Sequence, residues 1–286
     1  MSVLPKTKQA SARLDHVRTY LRYQGDENTL RESIDWLLNT DLDRNRGAII
    51  TSLIGYFMSK ALIEWFSSGD MNRIRNLFYN IGKLSYIGRL ENWTSGSYQR
   101  YTVTNVLDCM PILVCDHSAL IQWCMNTNYG FSEGKNRDKP HSYEFVVKNI
   151  FLAMRQQWDE LEERSRLYIA NPRPRPFSRL DIFEFDYFLG LATGDVLKME
   201  AAISELVTPK GLRTNSSSET GFTDGLISTR GILFAKLAWR SGYEVNIDSP
   251  YIPKEWLPVQ PLEHYEDEFD FMKPYTIDPT WGGTFT

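Results

Sequence analysis

GFTDGLISTRGILFAKLAWRSGYEVNIDSPYIPKEWLPVQPLEHYEDEFDFM, residues 221–272, is the stretch from which the fold is most readily read. Leu226, Leu233, Phe234, Leu237 and Ala238 recur at helical spacing, which predicts a helix over 222–241 that stops at Gly242. Arg230 stands on the same stripe, so it either meets a buried carboxylate or marks a narrower apolar face. Residues 243–248, YEVNID, alternate apolar and polar, the pattern of a short strand or an extended arm. Pro250, Pro253, Pro258 and Pro261 then prevent regular structure, and Trp256 and Leu257 are expected to anchor the resulting strap on a helical body. The strap runs into the densest acidic cluster of the chain: Glu263, Glu266, Asp267, Glu268 and Asp270, interleaved with His264, Tyr265, Phe269 and Phe271. The stretch predicts an all-α protein with an extended C-terminal strap, and it holds no catalytic motif.

Outward from that stretch the helical period dominates. Helices are predicted over 6–24 and 29–38, with Asp26 or Asn28 as the cap between them. A third covers 44–66, where Ile50, Leu53, Ile54, Phe57, Met58, Ala61, Leu62 and Trp65 form a wide apolar stripe. Ser67-Ser68-Gly69-Asp70 ends it and caps a fourth over 71–89, whose core positions are Ile74, Leu77, Phe78, Ile81, Leu84 and Ile87. After a loop at 91–97, a helix over 98–109 should break near Pro111, and another spans 117–126. Residues 128–141 read as an exposed connection. Ser142 then caps one long helix whose face runs from Tyr143 through Val147, Phe151 and Trp158 to Leu161. NPRPRPF, residues 171–177, stops that helix as a stiff linker or, through Arg173 and Arg175, a basic docking strip. It also marks the candidate division, within one continuous helical domain, between an N-terminal helical region, 1–175, and C-terminal hairpins with their acidic and aromatic tail, 176–286. Ser178 caps LDIFEFDYFLGLATGD, and Gly194-Asp195 turns the chain into an amphipathic partner over 196–207. Residues 208–220 are expected to be a mobile loop, and 278–286 a loose tail. The fold class that follows is a multi-helix bundle of αα-hairpins, partly tetratricopeptide-like, although the turns at Gly69-Asp70 and Gly194-Asp195 fit no fixed period.

Composition narrows the function class. In 286 residues, 42% are apolar and 13% aromatic, ample for a large core, while the net charge of −4 lacks the basic excess of a nucleic-acid binder. No direct nucleic-acid binding is expected, and a mildly acidic chain suits a basic partner. The apolar run at 48–66 nears bilayer-spanning length, but Lys60 and Glu64 interrupt it one turn apart, so a buried helix is expected and no membrane partner. MSVLPKTKQASARLDHV, residues 1–17, has no apolar segment of the secretory type, and a cytoplasmic location is expected. Cys109, Cys115 and Cys124 match no zinc spacing and read as buried free thiols.

Catalytic signatures are missing from the sequence. His16, His117, His141 and His264 do not pair at metal-binding spacing, and no phosphate-cradling glycine loop or nucleophile elbow occurs, so no metal or other cofactor is expected. Glu184 and Asp186, with Asp181 nearby, lie among aromatics in DIFEFDYF. Two carboxylates in such a setting suit glycoside hydrolysis; they equally suit a helix with aromatics inward and acids outward. The cluster Glu263, His264, Tyr265, Glu266, Asp267, Glu268, Phe269 and Asp270 is the candidate interface with a partner protein. Its like charges repel until a basic surface approaches, and its aromatics supply contact area. The other reading is a solvated acidic tail pinned by its aromatics.

GFTDGLISTRGILFAKLAWRSGYEVNIDSPYIPKEWLP with PLEHYEDEFDFM resembles the C-terminal part of immunity proteins of the Immunity protein 49 type, all-helical proteins of bacterial polymorphic toxin systems. The Gly194-Asp195 hairpin and LVTPK at 206–210 are similar too, so the resemblance covers residues 185–272. It has no catalytic motif to carry over. Its signature residues Trp239, Gly242, Tyr243, Asp248, Pro250 and Tyr251 are open to structural or toxin-contacting roles. The resemblance implies a non-enzymatic antitoxin that binds and neutralises a cognate antibacterial toxin domain acting in the cytoplasm. With the acidic cluster it favours a basic toxin such as a nuclease. A tetratricopeptide-like adaptor that binds peptides and a hydrolase using Glu184 or Asp186 are the alternatives. The sequence leaves the oligomeric state open.

Overall fold

The computed structural model describes residues 4–39, 46–91, 106–126, 138–172, 181–216 and 219–281. Among these the chain is all-helical, with twelve α-helices and no β-strand. It forms two compact units, one of residues 1–130 with 260–286, the other of residues 131–259. The division expected at residue 175 falls inside the second unit.

The first unit is built around two long helices. Thr7 caps α1 (Lys8–Gln24) and Asp26 caps α2 (Glu27–Leu38), each side chain accepting from a first-turn N–H. The apolar run becomes α3 (Arg46–Ser67), on which α1 and α2 both pack. By length and composition alone α3 could cross a membrane. Its Leu53, Phe57, Ala61 and Leu62 are instead fully buried in the protein core, as the interruption by Lys60 and Glu64 implies. Gly69, at φ +70°, turns the chain, and Asp70 caps α4 (Met71–Leu90) through the N–H groups of Asn72 and Arg73. α4 packs on α3, on α5 (Val106–Cys115) and on α6 (Ser118–Asn126). Pro111 lies inside α5 and does not end it. Pro111 lacks only the N–H that would have reached residue 107, in the second turn of a ten-residue helix. The chain turns out of α5 at Asp116, at φ +59°.

The second unit opens with Ser142 capping α7 (Tyr143–Met154), but the single long helix expected there is two. Gln156 takes φ +56°, Gln157 N–H reaches Leu152 O at 2.9 Å, and Gln156 N–H reaches Ala153 O at 3.1 Å. That is a Schellman end with glutamine where glycine is usual. The chain restarts as α8 (Trp158–Ala170). α9 (Asp181–Thr193) and α10 (Val196–Leu206) form the expected hairpin, with Gly194 at φ +73° and Asp195 capping Lys198 N–H at 3.0 Å. Both glycine–aspartate turns therefore close αα-hairpins, and nothing in the described residues makes them units of a repeat. Residues 208–220 are not simply a loop: Thr208 caps the short α11 (Pro209–Thr214), which has proline in its first turn. The last helix starts later than its apolar stripe suggests. Thr220 and Thr223 fold residues 220–226 into turns, Gly225 takes φ +79°, and Ser228 caps α12 (Thr229–Arg240). Residues 243–249 are an arm without strand pairing, and Trp256 and Leu257 are buried as expected.

Stacked aromatics hold this unit. Tyr168 lies flat on Phe185 at 3.8 Å between ring centroids, and Tyr187 on Phe234 at 4.4 Å. The Tyr187 hydroxyl, fully buried, donates to Phe234 O at 2.7 Å, and burial raises its pKa far above the usual phenol value. Such ring pairs add about 0.5–1.5 kcal/mol each beyond their burial.

Candidate functional site

In the first unit the acidic cluster is seated against α3 and α4. Its residues alternate: Tyr265, Asp267 and Phe269 are half-buried, while Glu263, His264, Glu266, Glu268 and Asp270 are exposed. The period of two is that of extended chain.

The cradle comes from a second face of α4, opposite its apolar stripe. Asn76, Tyr79, Asn80 and Lys83 fall at i, i+3, i+4 and i+7. Asn76 Nδ2 donates to Glu266 O at 3.1 Å, and Asn76 Oδ1 accepts from Glu266 N–H at 2.7 Å. One turn on, Asn80 Nδ2 donates to the same Glu266 O at 2.9 Å, and Asn80 Oδ1 accepts from Glu268 N–H at 2.9 Å. The match is geometric. Four residues of helix rise about 6 Å, and two residues of extended chain rise about 6.6 Å. Two asparagine amides thereby stand in for a neighbouring strand.

Between these backbone contacts the strap turns Asp267 inward. Tyr79 donates to its Oδ1 at 3.1 Å and Lys83 to its Oδ2 at 2.7 Å, with side-chain exposures of 5% for Lys83 and 12% for Asp267. Burial first, and the Asp267 carboxylate second, raise the Tyr79 phenol far above its ordinary range, so it stays a donor. Lys60 of α3 pairs with Glu268 and lies 5.1 Å above the Tyr56 ring. Phe269 packs on Phe57 at 5.4 Å and Tyr56 at 6.3 Å. At the strap's start, Tyr265 OH donates to Cys115 O at 2.6 Å and accepts from Leu262 N–H, and burial pushes its pKa up to about 12. Asp116 accepts from Gln260 N–H at 3.0 Å. Beyond the cluster, Tyr86 takes the backbone at Thr276 and Asp278, and Asn126 takes Pro279 O.

His117 closes this end. Its ring lies 4.8 Å from Tyr265 and 5.0 Å from Tyr79, and its Nδ1 accepts from Leu120 N–H in the first turn of α6. Nδ1 must then be unprotonated. Burial first, then the charge of Lys83, lower its pKa, which keeps the imidazole neutral.

The eight candidate interface residues thus divide. Tyr265, Asp267 and Phe269 are bound within the unit, and Glu268 is paired with Lys60. Asp270 is exposed and pairs with Lys273, which lowers its pKa. Glu263, His264 and Glu266 complete an outward acidic row. Composition alone did not single out Asn76, Asn80 and Lys83. The available signal was a polar row at helical spacing on the face of α4 away from its apolar stripe.

In the second unit the alternative catalytic pair does not converge. Glu184 is buried, 2% exposed, against Arg230, whose side chain is 11% exposed and also reaches Asn215 Oδ1 at 3.3 Å. Of the two readings of Arg230 on the α12 stripe, the pairing with a buried carboxylate is the one the structure shows. Asp186, two residues along α9, instead faces Lys198 of α10 at 3.7 Å. The Asp181 side chain lies outside the described residues, as do Arg173, Arg175 and the Ser178 cap. Among the described residues no group of histidine, cysteine, aspartate or glutamate forms a metal site, and the three cysteines are buried and outside any disulfide.

The signature residues of the last helix and arm have structural work. Gly194 needs its positive φ, and a Cβ there would sit 3.0 Å from the Tyr243 hydroxyl. Trp239 Nε1 donates to Val245 O at 3.2 Å, and Gly242 takes φ +88° at the end of α12.

Residues 133–256 match the family model described as Immunity protein 49. The match coincides closely with the second compact unit and stops before the acidic strap. The chain matches no curated protein and no solved structure.

Proposed function

We propose that the chain, whose residues 133–256 match the Immunity protein 49 family model, is an immunity protein that binds a cognate antibacterial toxin domain in the cytoplasm and neutralises it by direct contact. The observation that carries the reading is the coincidence of the family match with a unit that has its own aromatic core. A binding role is supported further by the Glu184–Arg230 pair, which ties up in packing the carboxylate best suited to chemistry.

The proposed contact surface is the outward row Glu263, His264, Glu266, Glu268 and Asp270 of the strap. The cradle holds this backbone at fixed points, so little ordering entropy is lost when a partner binds. A row of carboxylates favours a basic partner, and a nuclease, whose substrate site attracts anions, is the toxin class this suits. The test is co-expression of the chain with a candidate cognate toxin domain. Rescued growth with a co-purifying complex supports the proposal; rescue in which no complex survives purification points to repair of the damage instead.

A further inference from the structure

In the second unit, α10 turns Met199, Ala202, Ile203 and Leu206 inward, and these complete its buried face. Leu197 lies on the opposite face with Ala201 and Ser204, at i, i+4 and i+7, and all three are exposed. Leu197 is 77% exposed, the highest value among the large apolar residues described. Packing within the unit does not require leucine at that position. A single exposed leucine is ordinary on a protein surface; its neighbours set this one apart.

The arm at 243–249 is fixed to the first turns of α10. Glu200 Oε1, one helical turn from Leu197, accepts from Asn246 N–H at 2.7 Å, and the Tyr243 hydroxyl lies against Gly194 in the turn that precedes the helix. Val245 and Ile247, each 2% exposed, pin the arm from beneath, so the alternate residues Glu244, Asn246 and Asp248 face solvent. Asn246 Oδ1 accepts from Lys254 at 3.1 Å. The carboxylates of Glu244 and Asp248 make no hydrogen bond or ion pair with a described residue. An apolar side chain thus stands in the open near two unneutralised carboxylates, on backbone that burial holds in place. An apolar centre with a polar rim is the make-up of a protein–protein contact.

Building on the immunity reading, we propose that this α10–arm face is a second toxin-contact surface, with Leu197 entering an apolar depression of the toxin domain and basic side chains of the toxin meeting Glu244 and Asp248. Two observations select this occupant. The face lies wholly within residues 133–256, the segment that matches the immunity family, whereas the strap lies beyond it. Its free charge has the same sign as the outward row of the strap, so both faces suit one basic partner.

The probe is a toxin domain that co-purifies with the unmodified chain. Leu197→Ser and Glu244→Lys/Asp248→Lys alter exposed side chains, so circular dichroism and the urea midpoint should match the parent. In calorimetry each variant is expected to weaken binding about tenfold or more, the charge reversal losing its effect as salt rises and Leu197→Ser keeping it. Leu167→Ser, on α8 and 46% exposed, is the matched control and should retain the parent affinity. Affinities within about twofold of the parent for both variants, or an equal loss in Leu167→Ser, overturn the proposal and leave the immunity reading standing. If no candidate toxin domain binds the unmodified chain, the immunity reading falls and this inference falls with it.

Discussion

Replacing Glu184 with leucine removes one partner of the buried ion pair in the second unit and leaves Arg230, 11% exposed, without its carboxylate. Deleting one member of such a pair costs about 3–5 kcal/mol, because the remaining charge stays desolvated. The rearrangement also disturbs the Arg230 bond to Asn215, worth about 1 kcal/mol. At 3.3 Å that bond is long, so the lower end of the range, about 3 kcal/mol, is the expected loss for Glu184→Leu. Arg230→Met added to it removes the guanidinium as well and replaces the pair with apolar side chains of similar size. The double variant should return to within about 1–2 kcal/mol of the parent, a coupling of at least about 1 kcal/mol. The assay is urea unfolding, with hydrogen exchange at α9 and α12 amides reporting on this unit alone. A loss below about 1 kcal/mol in Glu184→Leu, or no recovery in the double variant, refutes the reasoning. The same double variant bears on function: if it folds, it retains neutralisation when Glu184 is structural and loses it when Glu184 performs chemistry.

Reversing Glu263 and Glu266 to lysine should leave helicity unchanged and weaken toxin binding about 10–100-fold, chiefly through a slower association rate and with less loss at high salt; unchanged affinity in calorimetry removes the strap from the interface. Gly194→Ala should cost about 2 kcal/mol, because it combines a positive φ with a 3.0 Å approach to the Tyr243 hydroxyl, whereas Gly242→Ala, with open space around it, should cost about 1 kcal/mol. Tyr243→Phe should bring the two costs together, and equal urea midpoints for the two alanine variants in the parent would count against the crowding argument. The folded-state pKa of His117 is lowered by burial and by Lys83, so the unfolded chain binds the extra proton first as pH falls. Stability of the first unit is then full above the unfolded histidine value of about 6.5 and declines as pH drops below it. His117→Asn, which keeps a capping acceptor, should flatten that decline in a urea series between pH 7 and 5, and an unchanged slope would assign it to another group.

Much of the helical architecture was legible because its signals are local. Asp26, Asp70, Ser142 and Asp195 cap helices that their sequences announce, and Gly69 and Gly194 take the positive φ that a tight helical turn requires. The break at Gln156 was not legible, since glutamine gives no warning that it will adopt a left-handed conformation, and the apolar face runs on across it. The late start of α12 was hidden for a related reason: Thr220, Thr223 and Ser228 compete for the backbone through side-chain hydrogen bonds that an apolar count ignores. Pro111 misled in the other direction: it lies in the middle of a short helix and does not end it. At the site, the acids of the strap were conspicuous, but their division into inward and outward sets depends on α4, nearly 190 residues away. Asn76 and Asn80 were not legible in the sequence, because their partners are backbone groups, which leave no trace in the composition.

Titrating purified toxin domain with the purified chain while following toxin activity tests the central claim most directly. The account predicts that activity falls linearly to zero at one chain per toxin molecule and that the two elute together as a complex. Inhibition at far below one equivalent, or recovery of damaged substrate without any complex, would contradict neutralisation by direct binding.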